Sequence, residues 1–121
     1  MSDQSGVKYD AGKPEVVKGA LHYFPNALAA VADVSAAGAR KYTWDGWRTV
    51  PDGVDRYTEA MGRHLLAERE GPTDSGPGGT GCLHAAQVAW NALARLELML
   101  EDAKENRGNQ WPESLTGKPG C

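Results

Sequence analysis

Residues 82–102 read CLHAAQVAWNALARLELMLED, and this stretch decides the fold because a helix built from it is apolar in nearly every direction. The polar exceptions in its first turns follow one another at steps of three, four and four residues: His84, Gln87, Asn91 and Arg95. At 3.6 residues per turn these steps form one narrow line of side chains, here called the polar stripe. An unpaired buried polar atom costs about 1–3 kcal/mol, so the stripe faces either a hydrated cleft or hydrogen-bond partners in the core. Four residues in register favour a functional site.

The rest of the chain predicts further helices and no strands. An alanine-rich helix is expected over residues 25–38 and a second over residues 54–70, with a short one near residues 16–23. Residues 73–81 are rich in Gly, Pro and Ser, which is typical of a functional flap or of disorder. We therefore expect an all-α domain. Its predicted division is an extended N-terminal arm at 1–13, the helical domain at 14–103 and a flexible C-terminal tail at 104–121.

Composition excludes several classes of protein. The 121 residues suit one domain, and 13 basic against 16 acidic residues give a net charge of −3, without the basic excess of proteins that bind nucleic-acid polymers. No apolar run approaches the roughly 18 residues of a membrane span. The polar N-terminus does not resemble a signal peptide, so a cytoplasmic protein without a membrane partner is expected. Two cysteines support neither a disulfide framework nor a cysteine zinc site.

The second predicted helix carries polar residues on its apolar arc. His64 and Glu68 lie one turn apart there, and a carboxylate is rarely buried unless it is paired or bound to a metal. One interpretation is a hydrogen bond between these two residues at the edge of the core. The other adds His84 from the facing helix and Asp74 from the loop, which together would suit a divalent cation.

Charged residues beside this arc and near the N-terminus are further candidates. Glu59 and Arg63 form an i,i+4 pair, which by default is a solvated ion pair but could bracket a site. The segment GVKYDAGKP at residues 6–14 departs from the phosphate-loop spacing, and Pro14 stands where Ser or Thr should follow Lys13. Lys8 and Lys13 therefore remain only flexible cations that can contact phosphate.

Several of these pieces occur in a known order. They are KYDAGKP at 8–14, GARKY at 38–42, Trp47, RHL at 63–65, DSG at 74–76, and LHAA at 83–86 with Asn91. The series resembles the phage-encoded dATP/dGTP diphosphohydrolases, relatives of the MazG-like all-α nucleotide pyrophosphohydrolases, over about residues 8–100. The resemblance implies a homo-oligomeric MazG-like helical bundle that hydrolyses dGTP and dATP to the monophosphate and pyrophosphate with Mg²⁺ or Mn²⁺. It also implies a place in the cytoplasm of an infected cell, supplying dGMP for 2-aminoadenine nucleotide synthesis.

The residue patterns and the resemblance together lead to the following assignments, with one departure from the pattern of the superfamily. The catalytic set is His64, Glu68 and Arg63, the substrate-binding set is Lys8, Lys13, Lys41 and Asn91, and the metal set is Glu59, Glu68, Asp74 and His84. The Glu-x-x-Glu and Glu-x-x-Asp metal motifs of the superfamily are absent. Ala60 and Arg63 stand where the Glu-x-x-Glu motif would lie, and His84 and Gln87 stand where the Glu-x-x-Asp motif would lie. Either the ligands are redrawn as Glu59, His64, Glu68, Asp74 and His84, or the activity is altered or lost. The alternative is a non-catalytic helical dimerisation or nucleotide-sensing module.

Overall fold

The computed structural model describes residues 11–106, in which three α-helices form the scaffold. Helix α1 spans Pro25–Lys41, α2 spans Gly53–Ala67, and α3 spans His84–Asn106. The only β-pairing in this range is an isolated antiparallel bridge between Thr73 and Leu83. The all-α prediction is confirmed. Residues 1–10 of the predicted arm at 1–13, and residues 107–121 of the predicted tail at 104–121, lie outside the described residues.

The helix boundaries differ from the predicted ones at several ends. Helix α2 ends at Ala67, three residues before the predicted end at 70, and α3 begins at His84 and continues to Asn106, past the predicted domain boundary at 103. A π-helical turn, Val17–Leu21, stands where a short helix was expected. A 3₁₀ turn, Gly46–Thr49, precedes α2. None of the helices in the described range has the length and apolar composition that crossing a membrane requires.

Helices α2 and α3 make the main packing interface, and two features bring them together. Gly53 is buried at the start of α2, and a Cβ atom there would lie 2.8 Å from the Leu98 side chain, so this glycine permits a close approach. Trp47, Tyr57 and Trp90 form an aromatic cluster with edge-to-face contacts at centroid distances of 5.5–6.4 Å. The Tyr57 hydroxyl also donates a 2.6 Å hydrogen bond to the Trp47 carbonyl.

Residues 68–83, here called the connecting loop, are held by backbone hydrogen bonds. The Asp74 amide donates to the Cys82 carbonyl at 2.8 Å, and the His84 amide donates to the Pro72 carbonyl at the same distance. Gly76, Gly78 and Gly81 adopt positive φ angles of 102°, 80° and 80°, which glycine tolerates at no steric cost. The loop is thus an ordered hairpin, so of the two alternatives for residues 73–81, a functional flap or disorder, disorder is excluded.

The described chain has a thin apolar core. Its buried hydrophobic residues are Val34, Ala37, Ala86 and Ala94, and no large side chain in residues 11–106 is fully buried. Many large apolar side chains are exposed, including Leu65 and Leu66 on α2 and Leu93, Leu96 and Met99 on α3. Exposed apolar surface of this extent is typical of interaction surfaces.

Candidate functional site

The polar stripe of α3 faces α2 and the connecting loop. His84, Gln87 and Asn91 are only 7%, 5% and 6% exposed. The Asn91 amide donates to the Gln87 carbonyl at 2.8 Å, and the Arg95 Nε donates to the Thr58 hydroxyl at 2.7 Å. Between residues 11 and 106, no buried side-chain nitrogen or oxygen lacks a hydrogen-bond partner. The buried polar atoms of the stripe therefore have partners within α3, on α2 and in the connecting loop.

Asp74 anchors the connecting loop to this network. Its Oδ2 atom accepts hydrogen bonds from the Thr80 amide at 3.3 Å, the Thr80 hydroxyl at 3.2 Å and the Gln87 Nε2 at 3.0 Å. The Gln87 bond lowers the pKa of Asp74 most; burial opposes this shift, and the Thr80 bonds reinforce it. A carboxylate that stays ionised is thus fixed at the end of the α2–α3 hairpin.

Next to Asp74, two imidazoles from different helices meet; we call them the His pair. The Nδ1 atoms of His64 and His84 lie 3.0 Å apart, and the ring centroids are 5.2 Å apart. A neutral imidazole offers one donor and one acceptor nitrogen, so one ring donates to the other. Burial lowers the pKa of His64, the nearby Asp74 charge partly offsets this, and His84 and Arg63 lower it further. The structure thus favours neutral His64, a form able to accept a proton.

The predicted metal set is not assembled within the described chain. His64 pairs with His84 and not with Glu68, which is exposed at the end of α2 because α3 begins at His84 and covers nothing beyond it. Glu59 is also exposed, since five residues rotate it by about 140° around α2 from His64. No three His, Cys, Asp or Glu side chains among residues 11–106 are placed to hold a metal ion. Glu59, Glu68, Asp74 and His84 therefore do not form the expected site there.

The other candidates are scattered around the hairpin. Lys41, at the end of α1, donates to the Gly78 carbonyl at 3.1 Å and so contacts the tip of the connecting loop. Arg63 lines an open groove of about 260 Å³ on α2, together with Asp55, Arg56 and Glu59. Lys13 is exposed, and Asn91 is buried with its side-chain amide donating to the Gln87 carbonyl of its own helix. Lys8 lies outside the described residues.

Sequence reasoning missed two residues that organise this site. Thr80 donates twice to Asp74, and Gln87, named in the polar stripe, was given no role although it connects the loop to α3. Gln87 lies one turn from His84 on the stripe, which is a signal that could have been used. Thr80 sits within a glycine-rich run and carries no periodic signal.

A family model described as "dATP/dGTP diphosphohydrolase, N-terminal" matches residues 3–107. This match spans most of the 121-residue chain and the whole range that the structure describes. The chain belongs to this family. The resemblance inferred from the ordered motifs is thereby confirmed. Comparison with curated proteins and with solved structures gives no significant match.

The Asp74 network generates a prediction about Gly79. A Cβ atom at Gly79 would overlap the backbone carbonyl of Asp74, whereas one at Gly71, also in the connecting loop, would meet no atom within 4 Å. We expect Gly79→Ala to lower the free energy of unfolding by about 1–3 kcal/mol, the usual cost of forced overpacking. Gly71→Ala is the matched control and should change it little. Urea denaturation measures both, and equal stability of the two variants would contradict the packing described here.

The lowered pKa of His64 predicts a pH-dependent stability. Because the folded protein disfavours protonated His64, the unfolded chain binds more protons near its usual pKa of 6.5. The contribution of His64 to the free energy of unfolding is therefore present above pH 6.5. It is lost as the pH falls through the lowered pKa that His64 has in the folded protein. Asp74 adds a second loss below its usual 3.8.

Denaturation of metal-free protein across about pH 5 to 8 checks this. His64→Ala should flatten the slope in that window, whereas His22→Ala, which changes the exposed histidine near the π-helical turn, should retain it. A slope that is unchanged in His64→Ala would assign the dependence to other groups.

Proposed function

We propose that this protein hydrolyses dGTP and dATP to the monophosphate and pyrophosphate. The observation that carries the proposal is membership of the dATP/dGTP diphosphohydrolase family over residues 3–107. The proposal extends to the finer role of supplying dGMP for 2-aminoadenine nucleotide synthesis during phage infection.

The end of the α2–α3 hairpin is the proposed reaction site. Because burial lowers its pKa, His64 is neutral near pH 7 and can serve as a general base that takes a proton from the attacking water. His84 and the ionised Asp74 lie beside it and hold its surroundings in place. Arg63 and Lys41, with Lys8 and Lys13 from the N-terminal segment, would bind the negative triphosphate.

Dependence on Mg²⁺ or Mn²⁺ belongs to the same proposal. The described residues of one chain do not supply three ligands, so the ion would enter bound to the triphosphate oxygens of the substrate. Glu59 and Glu68 are exposed on α2 and could contact such an ion from the surface. The rival is a non-catalytic dimerisation or nucleotide-sensing module, which is favoured by the finding that no buried side-chain nitrogen or oxygen among residues 11–106 lacks a hydrogen-bond partner.

Product analysis tests the reaction class. Incubation with dGTP or dATP and Mn²⁺ should yield the monophosphate and pyrophosphate, and chelation of the ion should stop it. Release of orthophosphate with a diphosphate left over would place the protein in another reaction class. Nucleotide binding that stabilises the protein without turnover would support the sensing module.

Single substitutions test the assigned residues. His64→Ala should lower turnover by about a hundredfold, the usual loss when a general base is removed. Glu68→Gln should cause a similar loss only if this exposed carboxylate contacts the substrate or its ion. His22→Ala is the control, and melting temperatures show whether each variant folds. A His64→Ala protein that melts early but keeps full specific activity while folded would leave the His pair a purely structural contact.

The exposed apolar surface predicts self-association. The thin core of one chain and the exposed leucines on α2 and α3 leave more apolar surface than a stable monomer of 12.9 kDa usually tolerates. Light scattering at micromolar concentration should show at least a dimer. Leu66→Glu, at a side chain 62% exposed, should shift the equilibrium towards monomer without disturbing the described packing. A monomeric wild-type protein would exclude this assembly.

A further inference from the structure

The His pair has the geometry of two metal ligands from facing helices. Its Nδ1 atoms are 3.0 Å apart. Two imidazoles on one metal ion, each with a metal–nitrogen bond of about 2.0–2.1 Å, place their nitrogens about 2.9 Å apart at a right angle and about 3.3 Å apart at the tetrahedral angle. The observed separation lies between these values. If both rings tilt so that their Nδ1 lone pairs converge on one point, a cation can take the place of the proton in the hydrogen bond between them.

The two rings are also held in place before any ion binds. His84 is only 7% exposed, and its backbone amide is fixed by the Pro72 carbonyl at 2.8 Å. His64 is half-buried on α2, so the pair is reachable from solvent on one side. Asp74 is close enough to affect His64 electrostatically, and its negative charge favours a bound cation.

We propose that His64 and His84 form a binding site for a borderline divalent transition metal such as Zn²⁺, Co²⁺ or Ni²⁺. Imidazole nitrogen suits these ions, whereas Mg²⁺ prefers carboxylate, carbonyl and water oxygens. No third His, Cys, Asp or Glu among residues 11–106 completes the set, so water or an oxygen atom of a bound ligand fills the remaining positions. The site is therefore open, and it keeps the two imidazoles of the cation site predicted from the sequence without its carboxylates. A metal ion on Nδ1 leaves the proton of the neutral ring on Nε2, so His64 does not act as a general base in that state.

Titration of the full chain with Co²⁺ alone, without nucleotide, tests this proposal independently of any hydrolysis. Calorimetry should detect a heat of Co²⁺ binding, and Mg²⁺ at the same concentration should give no heat of binding. His64→Ala should weaken Co²⁺ binding about tenfold or more, because lost outer-shell partners already cost 10–100-fold. His22→Ala, at an exposed position, should bind Co²⁺ like the wild type.

The three histidines of the chain provide a second measurement on the unaltered protein. Paramagnetic Co²⁺ should shift or broaden the imidazole proton signals of His64 and His84 and leave those of His22 unaffected. This result holds even if His64→Ala fails to fold. Co²⁺ affinity that is unchanged in a folded His64→Ala, equal binding of Mg²⁺, or equal effects on all three histidines would overturn the proposal.

Discussion

The carboxylate of Asp74 is the contact on which the rest of the site depends. Its Oδ2 atom accepts three hydrogen bonds. Two come from Thr80 in the same loop, and the third, from Gln87, connects the loop to α3. Hydrogen bonds that involve a charged group contribute more than neutral ones, about 1.5–3 kcal/mol each. With the loop fixed in this way, the Pro72 carbonyl accepts the first amide of α3, and His84 begins that helix opposite His64. A glycine at 79 is part of the same arrangement, because only a residue without a side chain leaves room for the Asp74 carbonyl.

The polar contacts between α2 and α3 also fix how the two helices align. His84 meets His64 at one end of the hairpin, and Arg95 meets Thr58 nearer its middle. Sliding one helix by a turn would leave both pairs without partners in a partly buried environment, at a cost of up to about 1–3 kcal/mol for each orphaned group. An apolar interface of alanines and leucines would tolerate several alignments with little difference in energy. The polar stripe therefore specifies one register, whichever chemistry the His pair performs.

Helical periodicity was sufficient to predict the three helices and the polar stripe, because both depend on spacing along one segment. Periodicity alone was insufficient to predict that Glu68 and Glu59 are exposed and lie apart from the His pair. A helical wheel shows which residues share an arc, but burial also requires a neighbour along that part of the helix, and α3 does not extend past His64 towards Glu68. The alternative of a disordered connecting loop failed for a related reason. Its composition is that of a disordered segment, whereas its order comes from the single carboxylate of Asp74 and from contacts distant in sequence.

The described chain buries polar side chains of α3 and exposes several large apolar side chains, and this arrangement connects assembly to the site. Leu65 follows His64 on α2, Leu83 precedes His84, and both leucines are about half exposed. Apolar surface gains about 25 cal/mol for every Å² removed from water, so a partner that covers these leucines gains by burying them. The same partner would withdraw water from the open side of the His pair. Removing that water would further disfavour the charged form of His64 and would strengthen every interaction of Asp74 with a cation nearby. Association through this surface would therefore change the chemistry of the pair, even without adding a single ligand to it.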